Sequence, residues 1–129
     1  MVADGRCYNH VMMLQLLTVG KPRQTGLAEA GKDYLTRLRR YVKVEETIVR
    51  EERSGKGMRA GEVARKEGER ILAKLRPECY VVALDLAGKE TTSEALARKI
   101  DDLVTATSKV VFVIGGAFGL DLEILNRSN

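Results

Sequence analysis

Two stretches of this sequence are almost continuously apolar and β-branched: C-Y-V-V-A-L-D-L at 79–86 and K-V-V-F-V-I at 109–114. Each ends abruptly in a polar or glycine turn, and each falls far short of the roughly 20 residues of a membrane-spanning helix. A strand can be apolar on both of its faces only if both are covered. The pair therefore predicts a sheet with helices above and below it, and places both runs at its centre.

The rest of the chain fits that frame. M-L-Q-L-L-T-V at 13–19 reads as a further strand, closed by Gly20, Lys21 and Pro22. Leu27, Tyr34, Leu35, Leu38, Tyr41 and Val42 then recur at three- and four-residue spacings, predicting a helix over about 25–41 with these side chains, both tyrosines included, in the core. Residues 43–49 switch to a period of two. The polar run R-E-E-R-S-G-K-G at 50–57 reads as an exposed, mobile loop. A helix over 59–75 buries Val63, Ala64, Ile71, Leu72 and Leu75, has both signs of charge on its wet face, and stops at Pro77. Thr91 with Glu94 forms a capping-box pattern that opens a helix with the stripe Leu96, Ile100, Leu103 and Val104. A last helix is expected over 120–129. The order β-α-β-α-β-α-β-α with short connections predicts a doubly wound, mostly parallel α/β sheet.

At 129 residues the chain has room for one such domain. Residues 1–12 lack a charged-then-apolar leader pattern, and the pair Met12-Met13 stands before the first strand, so 1–12 read as a disordered extension and 13–129 as the domain. The only histidine, His10, falls in that extension with Cys7. Neither a Ser-His-Asp nor a Cys-His set can be assembled, Cys79 opens a buried strand, and no Cys/His cluster has metal-ligand spacing. Covalent hydrolysis and metal chemistry are disfavoured. Paired carboxylates at 45–46, 51–52 and 101–102 are neighbours in sequence and point apart. Two cysteines and no apolar span imply a cytoplasmic protein without a membrane.

In open parallel sheets, ligands bind beyond the carboxyl ends of the strands. That nominates L-D-L-A-G-K at 84–89 and G-G-A-F-G at 115–119. Glycines there let backbone N–H groups approach a ligand, although the pattern is neither G-x-G-x-x-G nor a P-loop, and a tight turn without a ligand would explain them equally. Asp85 either meets a ligand or caps its own turn. The net charge of +4 is concentrated toward the amino half: residues 1–65 hold 13 Lys+Arg against 8 Asp+Glu. Lys32, Arg37, Arg39 and Arg40 form a basic helix face that either tracks a phosphate backbone or is simply solvated. With no Trp and few aromatics, any nucleic-acid contact is expected to be electrostatic.

L-Q-L-L-T-V-G-K at 14–21, K-E-G-E-R-I-L-A-K at 66–74, L-D-L-A-G-K at 84–89 and F-V-I-G-G-A-F-G-L at 112–120 together resemble the RlmH family of SPOUT-superfamily methyltransferases. The resemblance runs in order from Met13 to Asn129. It implies a doubly wound α/β domain with a C-terminal trefoil knot, a homodimer, and S-adenosylmethionine (SAM) bound at the knot. The implied reaction is methylation of N3 of a pseudouridine in the RNA of the large ribosomal subunit. By position, Leu84 and Gly115 match the family's cofactor contacts, with Gly116 and Gly119 as shaping residues. Family members continue past the segment matched by I-L-N-R-S-N with a serine-rich loop, an M-T-x-P-H element and a further helix. The expectation is therefore a domain cut before the knot closes, carrying no transferable catalytic residue and leaving apolar surface open near Val111, Val113 and Ile124. The rival expectation is a non-catalytic RNA- or ribosome-binding remnant that uses the basic face.

Overall fold

The computed structural model describes residues 12–55 and 57–129. Eight elements alternate along them: β1 (Met13–Val19), α1 (Thr25–Leu38), β2 (Lys43–Val49), α2 (Ala60–Leu72), β3 (Tyr80–Leu84), α3 (Ser93–Ala106), β4 (Lys109–Ile114) and α4 (Leu122–Arg127). The four strands form one all-parallel sheet in the order β2-β1-β4-β3. The chain moves outward from β1 to β2, crosses to the far edge at β3, and returns to β4. Strand order therefore reverses between β1 and β4.

Two apolar layers sandwich the sheet. On one face α2 and α4 cover Leu17, Val49, Ile71, Cys79, Val81, Val111, Val113 and Ile124. On the other, α3 closes over Met12, Leu14, Leu103 and Val110. Of the residues expected to form a disordered extension, only Met12 is described, and it is buried. Cys7 and His10 lie outside the described residues. Val111, Val113 and Ile124 are fully buried, so the apolar opening expected there is absent. The short α4 closes it by placing Ile124 over the sheet.

Three further expectations are corrected. The apolar run at 79–86 yields an edge strand, β3, while the centre is shared by β4 and β1. A continuous apolar run reports cover on both faces and says nothing about neighbours in the plane. The interior strand β1 was the less obvious candidate because it carries Gln15, which is buried and donates from Nε2 to Thr47 Oγ1 at 2.8 Å. On its outer side β3 is met by Asn129. The Val81 N–H donates to Asn129 Oδ1 at 2.9 Å, and the Asn129 N–H donates to the Val81 carbonyl at 2.8 Å.

The second correction concerns α1, which ends at Leu38 and has no buried residue. Leu27, Tyr34 and Tyr41 are 64%, 67% and 86% exposed. A groove of about 680 Å³ separates the helix from the sheet, with Leu16, Thr18, Ile48 and Glu46 on the strand side and Leu27, Lys32 and Leu35 on the helix side. Closing it would strip water from the Glu46 carboxylate. That group instead reaches Arg39 at 3.2 Å, at the margin. Third, the cap of α3 is Thr92, whose Oγ1 accepts the Ala95 N–H at 3.1 Å, one residue later than the capping-box pattern placed it.

Candidate functional site

Leu84 and Ile114 are register partners at the carboxyl ends of β3 and β4. The turns they feed, 84–89 and 115–119, therefore lie side by side. In the first, Asp85 Oδ2 accepts the Ala87 N–H at 3.1 Å, and the Asp85 carbonyl accepts the Gly88 N–H at 3.0 Å. Of the two readings offered for Asp85, the structure shows the local cap: its side chain shapes its own turn. Lys89 is exposed.

The second turn needs each of its glycines for a different reason. Gly119 has φ +80° and donates its N–H to the Gly116 carbonyl at 3.1 Å, closing a tight loop. A Cβ on Gly115 would stand 2.9 Å from Leu120 Cδ2 and 3.0 Å from the Gly119 carbonyl carbon and oxygen, so the backbone folds back on itself there. A Cβ on Gly116 would stand 2.7 Å from Glu67 Oε1. The rim around both turns is apolar and open: Leu84 is 51% exposed, Leu86 is fully exposed, and Ile114, Phe118 and Leu122 are part-exposed. Exposed apolar side chains beside glycine-rich turn backbone suit a ligand with an apolar ring and hydrogen-bonding edges.

Glu67 was not singled out by the sequence, which placed the charges of α2 on its wet face. It lies on the buried stripe, one turn after Val63 and Ala64 and one before Ile71, and is 3% exposed. Its Oε2 accepts the Glu52 N–H at 3.1 Å, and its Oε1 has no partner among the described residues. The available signal was spacing: position 67 continues the i, i+3, i+4 pattern of the stripe.

The loop after β2 is not the free segment its composition implied. Arg70, on α2, pairs with the Glu52 carboxylate and also donates to the Arg50 carbonyl at 2.8 Å. Arg23 pairs with Glu51 at 2.9 Å. The Arg70 hydrogen bond, reinforced by the charges of Arg70, Lys66 and Arg50, holds the Glu52 carboxyl below the usual glutamate range. Between this loop and the Gly-rich turn is a polar groove of about 470 Å³, with Arg23, Arg53, Ser54 and Phe118 on its walls and Glu67 behind.

The basic face on α1 is only partly joined to this site. Lys32 borders the α1 groove, which runs up to Gly20, Lys21 and Ile114 at the open end of the sheet. Arg37, Arg39 and Arg40 lie at the other end of the helix, beside the start of β2. Arg37 bonds Asp33 at 2.8 Å and sits over the Tyr34 ring at 5.4 Å, while Arg39 bonds Glu46. Both pairs are exposed, so their charges remain available to a stronger partner. Among the described residues, no group of three or more His, Cys, Asp or Glu side chains could hold a metal, and no helix is long and apolar enough to cross a membrane.

Residues 12–129 match the family described as "Predicted SPOUT methyltransferase". Proteins named "Ribosomal RNA large subunit methyltransferase H" are similar along nearly the same span. Those of an Exiguobacterium species and of Bifidobacterium adolescentis are 40% identical over 122 residues, and that of Listeria monocytogenes serovar 1/2a is 42% identical over 122 residues. In each case the match covers 92% of this chain and 77% of the relative.

Proposed function

The chain belongs to the SPOUT methyltransferase family, and on that premise we propose that it transfers the methyl group of SAM to N3 of a pseudouridine in the RNA of the large ribosomal subunit. One observation carries the reading: the Leu84↔Ile114 register sets the two turns side by side, at the end of the sheet where α/β folds bind ligands. Leu84 and Gly115 are the proposed cofactor contacts. They fit SAM because half-exposed Leu84 and Ile114 give an adenine-sized ring an apolar seat, and the glycine backbone at 115–116 can be approached closely. When bound, SAM would supply an electrophilic methyl group and leave as S-adenosylhomocysteine, and the proton displaced from N3 would pass to solvent water.

What the chain's residues do is position. Methyl transfer to a ring nitrogen needs donor and acceptor in line at close range, so most of the acceleration available to a protein comes from holding both in place and keeping water out. The turns at 84–89 and 115–119 hold one side. The polar groove beside them, with Arg53 and Ser54, is open to the other. Lys32, Arg37, Arg39 and Arg40 are proposed to steer RNA phosphates, with Lys32 nearest the site. A homodimer in the cytoplasm completes the proposal.

Titration calorimetry with SAM tests it. Saturable binding is expected, and replacement of Leu84 by Asp should abolish it by placing an unpaired charge against the ring. Saturable SAM binding that survives Leu84→Asp unchanged would put the cofactor elsewhere. If SAM does bind but a triple Arg37, Arg39, Arg40 to Ala variant keeps both its affinity for ribosomal subunits and the salt slope of that affinity, the basic face has no part in RNA contact.

A further inference from the structure

We propose that Glu67 is a positioning residue: its carboxylate sets the Gly115–Gly119 turn with one oxygen and anchors the 50–54 loop with the other, so that both sides of the methyl transfer are referred to one point on α2. This rests on the methyltransferase reading above.

Two segments far apart in sequence converge on that carboxylate. Oε2 holds the Glu52 N–H at 3.1 Å. Oε1 lies against Gly116, only 2.7 Å from where a side chain would begin. The helix bearing the carboxylate is fixed in its turn, since a Cβ on Gly68 would stand 3.1 Å from Asp121 Cβ and 3.6 Å from Ile124 Cγ1 at the start of α4. One turn along α2, Arg70 secures the same loop through Glu52 and the Arg50 carbonyl. A carboxylate that is 3% exposed, with one oxygen unpartnered, is an expensive way to fill space. An aliphatic residue on the stripe would pack there without that cost. The arrangement makes sense if an oxygen that accepts the Glu52 N–H is needed where the loop meets the glycine turn.

The geometry gives the link a direction. A glutamate is long enough to swing away from a methyl group placed on Gly116. Because it is buried and its other oxygen holds Glu52, that swing releases the loop. A change in the glycine turn should therefore be felt at the Glu52 amide, on a different element.

The test is a double-mutant cycle on the full chain, read by SAM calorimetry and by hydrogen exchange at the Glu52 amide. Gly116→Ala is expected to weaken SAM binding roughly tenfold or more and to speed Glu52 exchange by a similar factor, the size of a typical coupling between touching residues. In a Glu67→Ala background, where the carboxylate is gone, the same substitution should weaken SAM binding less than about threefold further. Glu67→Asp, which draws the carboxylate back by one methylene, is a second background with the same expectation should the alanine variant not fold. Additive losses in SAM affinity, or a Gly116→Ala variant that loses SAM while its Glu52 amide exchanges as before, would overturn the positioning role and leave the methyltransferase reading standing. A parent chain that binds no SAM would overturn both.

Discussion

Leu17 and Leu27 are the same residue type in opposite circumstances, and truncating each to alanine measures how much of this fold α1 supports. Leu17 lies in an interior strand between Thr47 and Val113 and is fully buried with Ile71 and Val111. Removing such a side chain loses its transfer energy and leaves a cavity that neighbouring strands cannot close, about 3–5 kcal/mol together. Leu27 is 64% exposed, so only about a third of its side chain leaves water. Full burial of a leucine is worth about 1.5–3 kcal/mol, and a third of that is about 0.5–1. Alanine's better helix propensity returns about 0.2 kcal/mol. At an unfolding entropy of about 2.1 cal/mol/K per residue, a chain of this size shifts its melting point about 4 °C per kcal/mol. Leu17→Ala should therefore melt about 12–20 °C below the parent, and Leu27→Ala less than about 4 °C below it. Urea titrations with a shared slope give the two free energies directly. If Leu27→Ala cost within about 1 kcal/mol of Leu17→Ala, α1 would be sealed onto the sheet in solution and the groove beneath it would not exist.

Two other outcomes follow from the geometry. Thr92→Ala should destabilise the fold by about 1 kcal/mol through loss of the α3 cap, whereas Thr91→Ala should be close to neutral; equal losses in urea titrations would return the cap to Thr91. The Glu52 carboxyl titrates below its ordinary value near 4.5 in the folded protein, so the stability its ionised form contributes is present above that value and is lost as pH falls through the lowered one. The stability gap between the parent and Glu52→Gln should accordingly shrink on acidification from pH 7 toward pH 3. A gap that stays constant or widens in urea midpoints would contradict the pairing with Arg70.

The elements were legible in the sequence to a degree set by how local their causes are. The strands at 13–19, 43–49 and 109–114 begin and end where the β-branched runs and the glycine turns put them. Burial of Val63, Ala64 and Ile71 followed from helical spacing. Strand order did not, because the crossing from β2 to β3 is a long-range decision that leaves no mark in either strand. The α1 stripe misled for a related reason: periodicity shows which way a helix would face, and not how closely the opposing strand, with Glu46 on the groove wall, lets it approach. The two turns at 84–89 and 115–119 were found from topology. Glu67 was missed because a charged letter in a charged segment looks solvated until its position on the stripe is counted.

The contact between Asn129 and Val81 bears on how this protein behaves in a crowd. An outer strand with free amide and carbonyl groups is a template on which a second chain can add, and sheets that grow in this way end as fibrils. Here the template is five residues long, and its second position is already taken: Asn129 satisfies both the N–H and the carbonyl of Val81, much as a neighbouring strand would. A foreign strand would have to displace that contact before it could find register. One asparagine thus acts as a stopper on the β3 edge of the sheet, and its loss should register in colloidal behaviour before it registers in the melting point.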